Sequence, residues 1–366
     1  MSNTKVNWKQ VFTFMGAVLA FAIGAGFATG QELLQYFSAY GWQSILVGIT
    51  FIIIFIYSNY CFAIAGKRGN LTKGSQVFEY YCGPILGKIF DYFASIFCYM
   101  SFIVMVAGAS STLNEQYHIP TYVGGALLTV LAIITVIWGL NGIVNIISKI
   151  GPVLVGFALI IGIIALVMTA GRIPEGIELI QTGQVEVTKA STNWLLAGCS
   201  YGGFCLMWFA GFMAELGSKN DMKELMLGMS FSGIFNITAC VLVGFALTAS
   251  ITQTSAVSIP NLVLAVNIWP PIAAVYALII CAAIYSTACP LLWTGVSRFS
   301  DEGTSKFKIL TVIAGVLALI IALTVPYGKL LNYIYVLNGY GGFILFAIMV
   351  IQDVRYRISH TNRSQA

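Results

Sequence analysis

Long apolar runs separated by short polar segments set the rhythm of this chain. A spanning helix needs about 20 predominantly apolar residues. That ruler predicts ten spans, at about 8–37, 42–66, 85–112, 121–140, 146–170, 193–216, 223–250, 270–297, 307–325 and 329–351. The expectation is an all-α integral membrane protein. Between the spans, residues 171–192 and 251–269 are long enough for structure of their own, and Pro260 is placed to start a short helix over a vestibule. Residues 67–84 read as a surface linker followed by an interfacial helix.

Composition agrees: of 366 residues, 58% are hydrophobic and 8% charged, against roughly 25% charged in an average soluble domain. The basic residues also orient the chain, because Lys and Arg accumulate on the cytoplasmic side. With an internal N-terminus, 15 of the 18 fall on inside segments and only Arg172, Lys189 and Lys329 outside. Both termini are therefore expected in the cytoplasm, in a bacterial cell membrane. This distribution explains the net charge of +5 without a nucleic-acid partner. The eight cysteines form no CxxC pair and lie mostly in apolar runs, and His118 and His360 sit apart from them, so neither a disulfide nor a metal cluster is expected. The first apolar run leads into Gln31 and Glu32 rather than a small-residue cleavage site, so it does not read as a leader.

Spans one to five (about 8–170) and six to ten (about 193–352) make halves of similar length in one transmembrane domain over 1–366, with a cytoplasmic tail at 353–366. Five is odd, so the second half is expected inverted relative to the first, as in many transporters.

Span one contains Gly24, Gly26 and Gly30, followed by Gln31 and Glu32. The first span of the second half carries Ser200, Tyr201, Gly202, Gly203 and Phe204. Glycine interruptions in corresponding spans point to a midplane site whose freed backbone groups meet a solute or ion. The alternative is that these glycines only let helices pack closely. An acid inside a span must face a cavity, pair with a cation or be protonated, whereas an acid at the external interface needs none of these; both readings stand for Glu32. Asp91 and Glu215 lie near cytoplasmic ends, close to Lys88 and Lys219, and local pairing accounts for them. In span eight, Ser286 and Thr287 either bond to the carbonyl one turn back or offer oxygen ligands to a hard cation.

These residues resemble the LeuT-type fold of the amino acid-polyamine-organocation superfamily. The stretch Gly24-Ala25-Gly26-Phe27-Ala28-Thr29-Gly30-Gln31-Glu32 and the overall layout more closely resemble the YkvI-like family of bacterial membrane proteins. The resemblance implies ten core helices as two inverted five-helix repeats, with helices one and six unwound. It implies substrate contacts at Gly24, Gly26, Phe27 and Thr29, and at Ser200, Tyr201, Gly203 and Phe204; Tyr99 on span three reads either as a wall or lid or as packing on an apolar helix. It further implies a sodium site of Ala20, Ile23 and Ala283 carbonyls with the Ser286 and Thr287 hydroxyls. The Gln31–Glu32 pair departs from the well-known sodium-coupled amino acid carriers.

The expected activity is alternating-access transport of a small amino acid or amine-type solute, coupled to sodium or protons, with no organic cofactor and the lipid bilayer as surroundings. No nucleophile, base and orienter assemble from these residues, so an enzyme is not expected. The alternative is a membrane sensor that keeps the fold without turnover.

Overall fold

The computed structural model describes residues 6–22, 24–69, 71, 75–138 and 150–364. Among them the secondary structure is helical: α1 (Trp8–Ala22), α2 (Ala25–Thr29), α3 (Gln31–Tyr36), 3-10 turns at Ser38–Gln43, α4 (Ser44–Arg68), α5 (Gln76–Tyr117), α6 (Thr121–Trp138), α7 (Ile150–Thr169), α8 (Ile173–Gln181), α9 (Trp194–Lys219), α10 (Met222–Ala249), α11 (Ile251–Thr254), α12 (Pro260–Ile268), α13 (Pro270–Ser297), α14 (Ser305–Thr324) and α15 (Tyr327–Ser364). Nine of the described helices are long and apolar enough to cross a bilayer, so this is a multi-pass membrane protein. Residues expected as the first of ten spans form three short helices instead, none long enough to cross alone. Residues 139–149, at the junction of the expected fourth and fifth spans, lie outside the described residues.

The outer faces show why lipid suits this surface. Ile309, Val312, Ile313, Val316, Leu317 and Ile320 of α14 are all exposed, an apolar stripe at helical spacing. Gly83, at φ 73°, breaks α5 ahead of Pro84, which separates a short leading helix from the span as the linker reading expected. Helix α12 starts at Pro260, also as expected.

Helix α9 is the most buried of the nine and packs between α4 and α15. Glycines permit this on both sides. Gly66 of α4 lies against the Ala214 carbonyl and Gly217 of α9 against the Ala63 carbonyl, while Gly203 meets the Gly339 carbonyl and Gly342 of α15 meets Gly203. At each of these positions a Cβ would collide with backbone. The interruption expected around Gly202 and Gly203 is consequently absent: α9 runs unbroken from Trp194 to Lys219, and its glycines serve close approach.

Sequence proximity pairs two acids with nearby lysines. Glu215 does pair with Lys219, at 2.6 Å. Asp91 instead pairs with Arg298 at the end of α13, and the Arg298 guanidinium lies 5.2 Å from the Tyr92 ring centre. A partly desolvated site favours a planar, weakly hydrated guanidinium over a strongly hydrated ammonium.

If backbone contact at Gly203 sets the α9–α15 spacing, Gly203→Val should cost about 3 kcal/mol. Gly16→Ala, where the added carbon meets nothing within 4 Å, should be neutral or better. Thermal unfolding in detergent compares them.

Candidate functional site

The broken first span builds the site. Helix α1 ends at Ala22, α2 covers five residues, and Gly30 turns the chain in the left-handed region at φ 88° before α3 begins. Only glycine takes that conformation without strain, and a Cβ there would also strike Asn261. Such breaks leave carbonyls without helical donors. The Asn261 Nδ2 donates to the carbonyls of Phe27 (3.0 Å) and Ala28 (3.1 Å), and the Tyr276 hydroxyl donates to Ala28 (3.1 Å). The Thr29 hydroxyl donates to Gly26 at 3.2 Å and lies 2.9 Å from the Tyr327 hydroxyl. This half of the break is closed by protein.

Glu32 lies in the first turn of α3, only 4% exposed. Burial of this kind sets it among protein groups and not on the surface. The Tyr201 hydroxyl donates to Oε1 at 2.6 Å. A Cβ on Gly26 would collide with the other carboxylate oxygen, so a glycine is required where the acid folds back on the broken helix. Around the Tyr201 ring stand Tyr36, Phe37, Phe51 and Phe204, with ring centres 4.9–5.2 Å away. The two ion pairs between described residues, Lys219–Glu215 and Arg298–Asp91, do not involve Glu32. One hydrogen bond from a neutral hydroxyl does not offset the desolvation of a full negative charge. This position therefore calls for a proton or a bound cation.

Several sequence-predicted residues converge here. The Ser200 Oγ lies 3.3 Å from the Tyr36 hydroxyl, and Phe204 bridges Tyr201 to a second aromatic group: Tyr335 at 4.9 Å and Trp208 at 5.7 Å. Phe97 stacks on Trp208 at 5.7 Å. Gly24 opens onto this group, since a Cβ there would lie 3.3 Å from the Trp208 indole and 3.5 Å from Met105. The Trp208 Nε1 and the Tyr335 hydroxyl are buried with no hydrogen-bond partner among the described residues. Phe27 and Thr29 are buried, with the Phe27 carbonyl against Asn261 and the Thr29 hydroxyl against Tyr327.

Two expectations fare differently. Tyr99 does not wall this cluster: its hydroxyl donates to the Ala314 carbonyl at 2.9 Å, and it lines an apolar groove with Ile96, Val296 and Leu317. Its helix turns that face toward α14. At the expected sodium site, Ser286 and Thr287 both donate to the Ala283 carbonyl, at 2.7 and 3.2 Å, so the three positions cluster as one satisfied helical turn. Ala20 sits in the last turn of α1, where carbonyls lack intrahelical donors; Ile23 lies outside the described residues.

Sequence reasoning missed Tyr36, Trp208, Tyr335 and Asn261. Tyr36 follows Glu32 by one helical turn, and Trp208 follows Phe204 likewise, so i,i+4 spacing from residues already singled out would have found both. No such signal exists for Tyr335 or Asn261.

The chain is similar to known membrane proteins. It is 22% identical to the uncharacterized membrane protein YkvI of Bacillus subtilis over 341 residues, 93% of this chain and 94% of that one. It is 34% identical to the uncharacterized protein YyaD of Bacillus subtilis over 148 residues, a match spanning 40% of this chain and 43% of YyaD. No family model matches. Among solved structures, MhsT in complex with L-phenylalanine superposes with a TM-score of 0.60 at 16% identity, covering 85% of this chain and 78% of MhsT. The Eremococcus coleocola manganese transporter superposes with a TM-score of 0.55 at 12% identity, covering 96% of this chain and 79% of the other. The fold is therefore the LeuT-type one that the sequence resembles.

Tyr201→Phe should destabilise the protein by about 1–3 kcal/mol by stripping a buried carboxyl of its donor. In a Glu32→Gln background the same change should cost clearly less, and the difference is the coupling read from a double-mutant cycle of unfolding free energies.

Proposed function

We propose that this protein is a secondary transporter that moves a small amine-bearing solute across the bilayer by alternating access, with Glu32 exchanging its proton for the solute's ammonium group. The observation that carries this reading is Glu32 itself: a buried carboxyl at a double helix break, held by Tyr201 and paired with no Lys or Arg among the described residues. A carboxyl so placed is stable when protonated and equally stable when an organic cation sits against it, so one charge is exchanged for the other. The aromatic group of Phe97, Phe204, Trp208 and Tyr335 provides ring faces for an amine's substituents and its charge. The Trp208 and Tyr335 groups, without a partner among the described residues, provide hydrogen bonds a polar solute would complete.

Two inverted halves, about 8–170 and 193–352, would supply the two access states in this scheme, with both termini in the cytoplasm of a bacterial cell. The lysine and arginine asymmetry supports that orientation. The same fold holds L-phenylalanine in MhsT and serves a manganese transporter, so substrate class is argued from Glu32 and its neighbours, and not from fold. An amino acid fits the site as an amine whose carboxylate meets the Trp208 and Tyr335 donors. Sodium is the second coupling ion, at Ala20, Ile23, Ala283, Ser286 and Thr287; it would have to draw the two hydroxyls away from the Ala283 carbonyl they now share.

A panel of amines and amino acids, with and without sodium, tests this by thermal shift, because a ligand specific to the folded state raises its stability. At least one amine should raise the melting temperature and move into proteoliposomes under a proton gradient, and Glu32→Gln should abolish the pH dependence of both. Sodium-dependent stabilisation lost in Ser286→Ala/Thr287→Ala would add the cation site. Absence of binding and flux across the panel would overturn the transporter reading.

A further inference from the structure

A polar cavity of 560 Å³ opens on the face that carries few basic residues, well apart in sequence from the broken first span. It is bounded by the end of α7, the start of α8, the end of α10, α11 and the end of α12. Arg172, Glu175, Ser250, Thr252, Gln253 and Asn267 line it. Its size lies within the roughly 300–1,000 Å³ of small-molecule sites. The grooves lined by Ile52, Ile53, Ile56 and Met229 and by Ile96, Val296 and Leu317 are apolar by contrast.

Its chemistry is specific. Arg172 is one of only three basic residues assigned to this face, so the charge rule that explains the other fifteen does not explain it. Arg172 and Glu175 stand three residues apart at the start of α8, yet neither forms an ion pair among the described residues, with each other or elsewhere. The Asn267 Nδ2 donates to the Gln253 Oε1 at 2.9 Å, which leaves the Gln253 amino group as a donor and the Asn267 carbonyl oxygen as an acceptor. The wall thus carries a cation with an amide donor, and an anion with an amide acceptor. Backbone holds the two sides in place: Gly176 of α8 lies directly against the Thr248 carbonyl of α10, and a Cβ there would collide.

We infer that this cavity is a second binding site, for a zwitterionic solute of amino-acid size, with its carboxylate on Arg172 and Gln253 and its ammonium on Glu175 and Asn267. Such a ligand bears on the broken span through α12. Asn267 lies in the last turn of that nine-residue helix and Asn261 in its first, and Asn261 holds the Phe27 and Ala28 carbonyls. Glu115 fixes the start of the same helix by accepting from the amides of Ser258 (2.6 Å) and Ile259 (3.0 Å). A bound zwitterion ties α12 to α8 and α11 and so holds the cover over the break in place.

The full-length protein carrying Thr252→Cys reports on the cavity through its labelling rate with a bulky, membrane-impermeant thiosulfonate. Glycine, L-leucine and L-asparagine are the probes. At least one should slow labelling saturably; Arg172→Gln and Glu175→Gln should each raise the half-protecting concentration tenfold or more. Glu32→Gln should leave protection saturable and move the half-protecting concentration less than either charge-removing variant does, which separates this site from the central one. For L-leucine, the analogues 3-methylbutylamine and 4-methylpentanoate, each lacking one charge, should protect at least tenfold less well. The inference is overturned if no probe protects, if both charge-removing variants protect like the parent, or if protection disappears with Glu32→Gln alone.

Discussion

A carboxyl group taken out of water next to an interrupted helix is the constraint around which this molecule is arranged. Glu32 is buried, the Tyr201 hydroxyl is its donor, and Gly26 yields the space its second oxygen fills. Each partner comes from a different part of the chain, so placing that acid requires α3, α9 and the broken segment to meet within ångströms. A bilayer interior supplies no water to satisfy the breaks. Asn261, Tyr276 and Thr29 therefore take up the freed groups on one side, while Trp208 and Tyr335 have no hydrogen-bond partner among the described residues. That asymmetry gives the region both a closed half and a half that a solute can complete.

The scaffold that makes this possible is glycine-mediated contact around α9. With Gly66 and Gly217 on one face and Gly203, Gly339 and Gly342 on the other, α9 is held at backbone distance from α4 and α15. Lipid is as apolar as leucine, so association in the membrane depends on such close packing and on hydrogen bonds in place of hydrophobic drive. An unbroken α9 then presents Ser200, Tyr201, Phe204 and Trp208 as a rigid wall against the irregular first span.

The spans were legible in the sequence because the bilayer imposes a length and a composition that few other environments do. The broken first span was legible too: three glycines ahead of Gln31 and Glu32 have no good place in a continuous apolar helix. The glycines of α9 looked alike but meant something else, because their purpose depends on Gly339 and Gly342, far along the chain. Asp91 shows the same limit, since Lys88 was near in sequence and Arg298 near in space. Tyr99 was placed by analogy, and its true neighbour, the Ala314 carbonyl, follows only from how α5 rotates against α14. Pro260 announced the start of α12 by a local backbone preference, but what Asn261 does with that helix end is a tertiary fact.

Proton release on solute binding tests the central claim most directly. With purified protein in weakly buffered detergent and a pH-sensitive dye, addition of an amine that binds should release about one proton per solute bound, as expected when a cation displaces the proton of a single buried acid. Glu32→Gln should release none. Equal release from both proteins, or binding to both with the same affinity and pH dependence, would contradict the account.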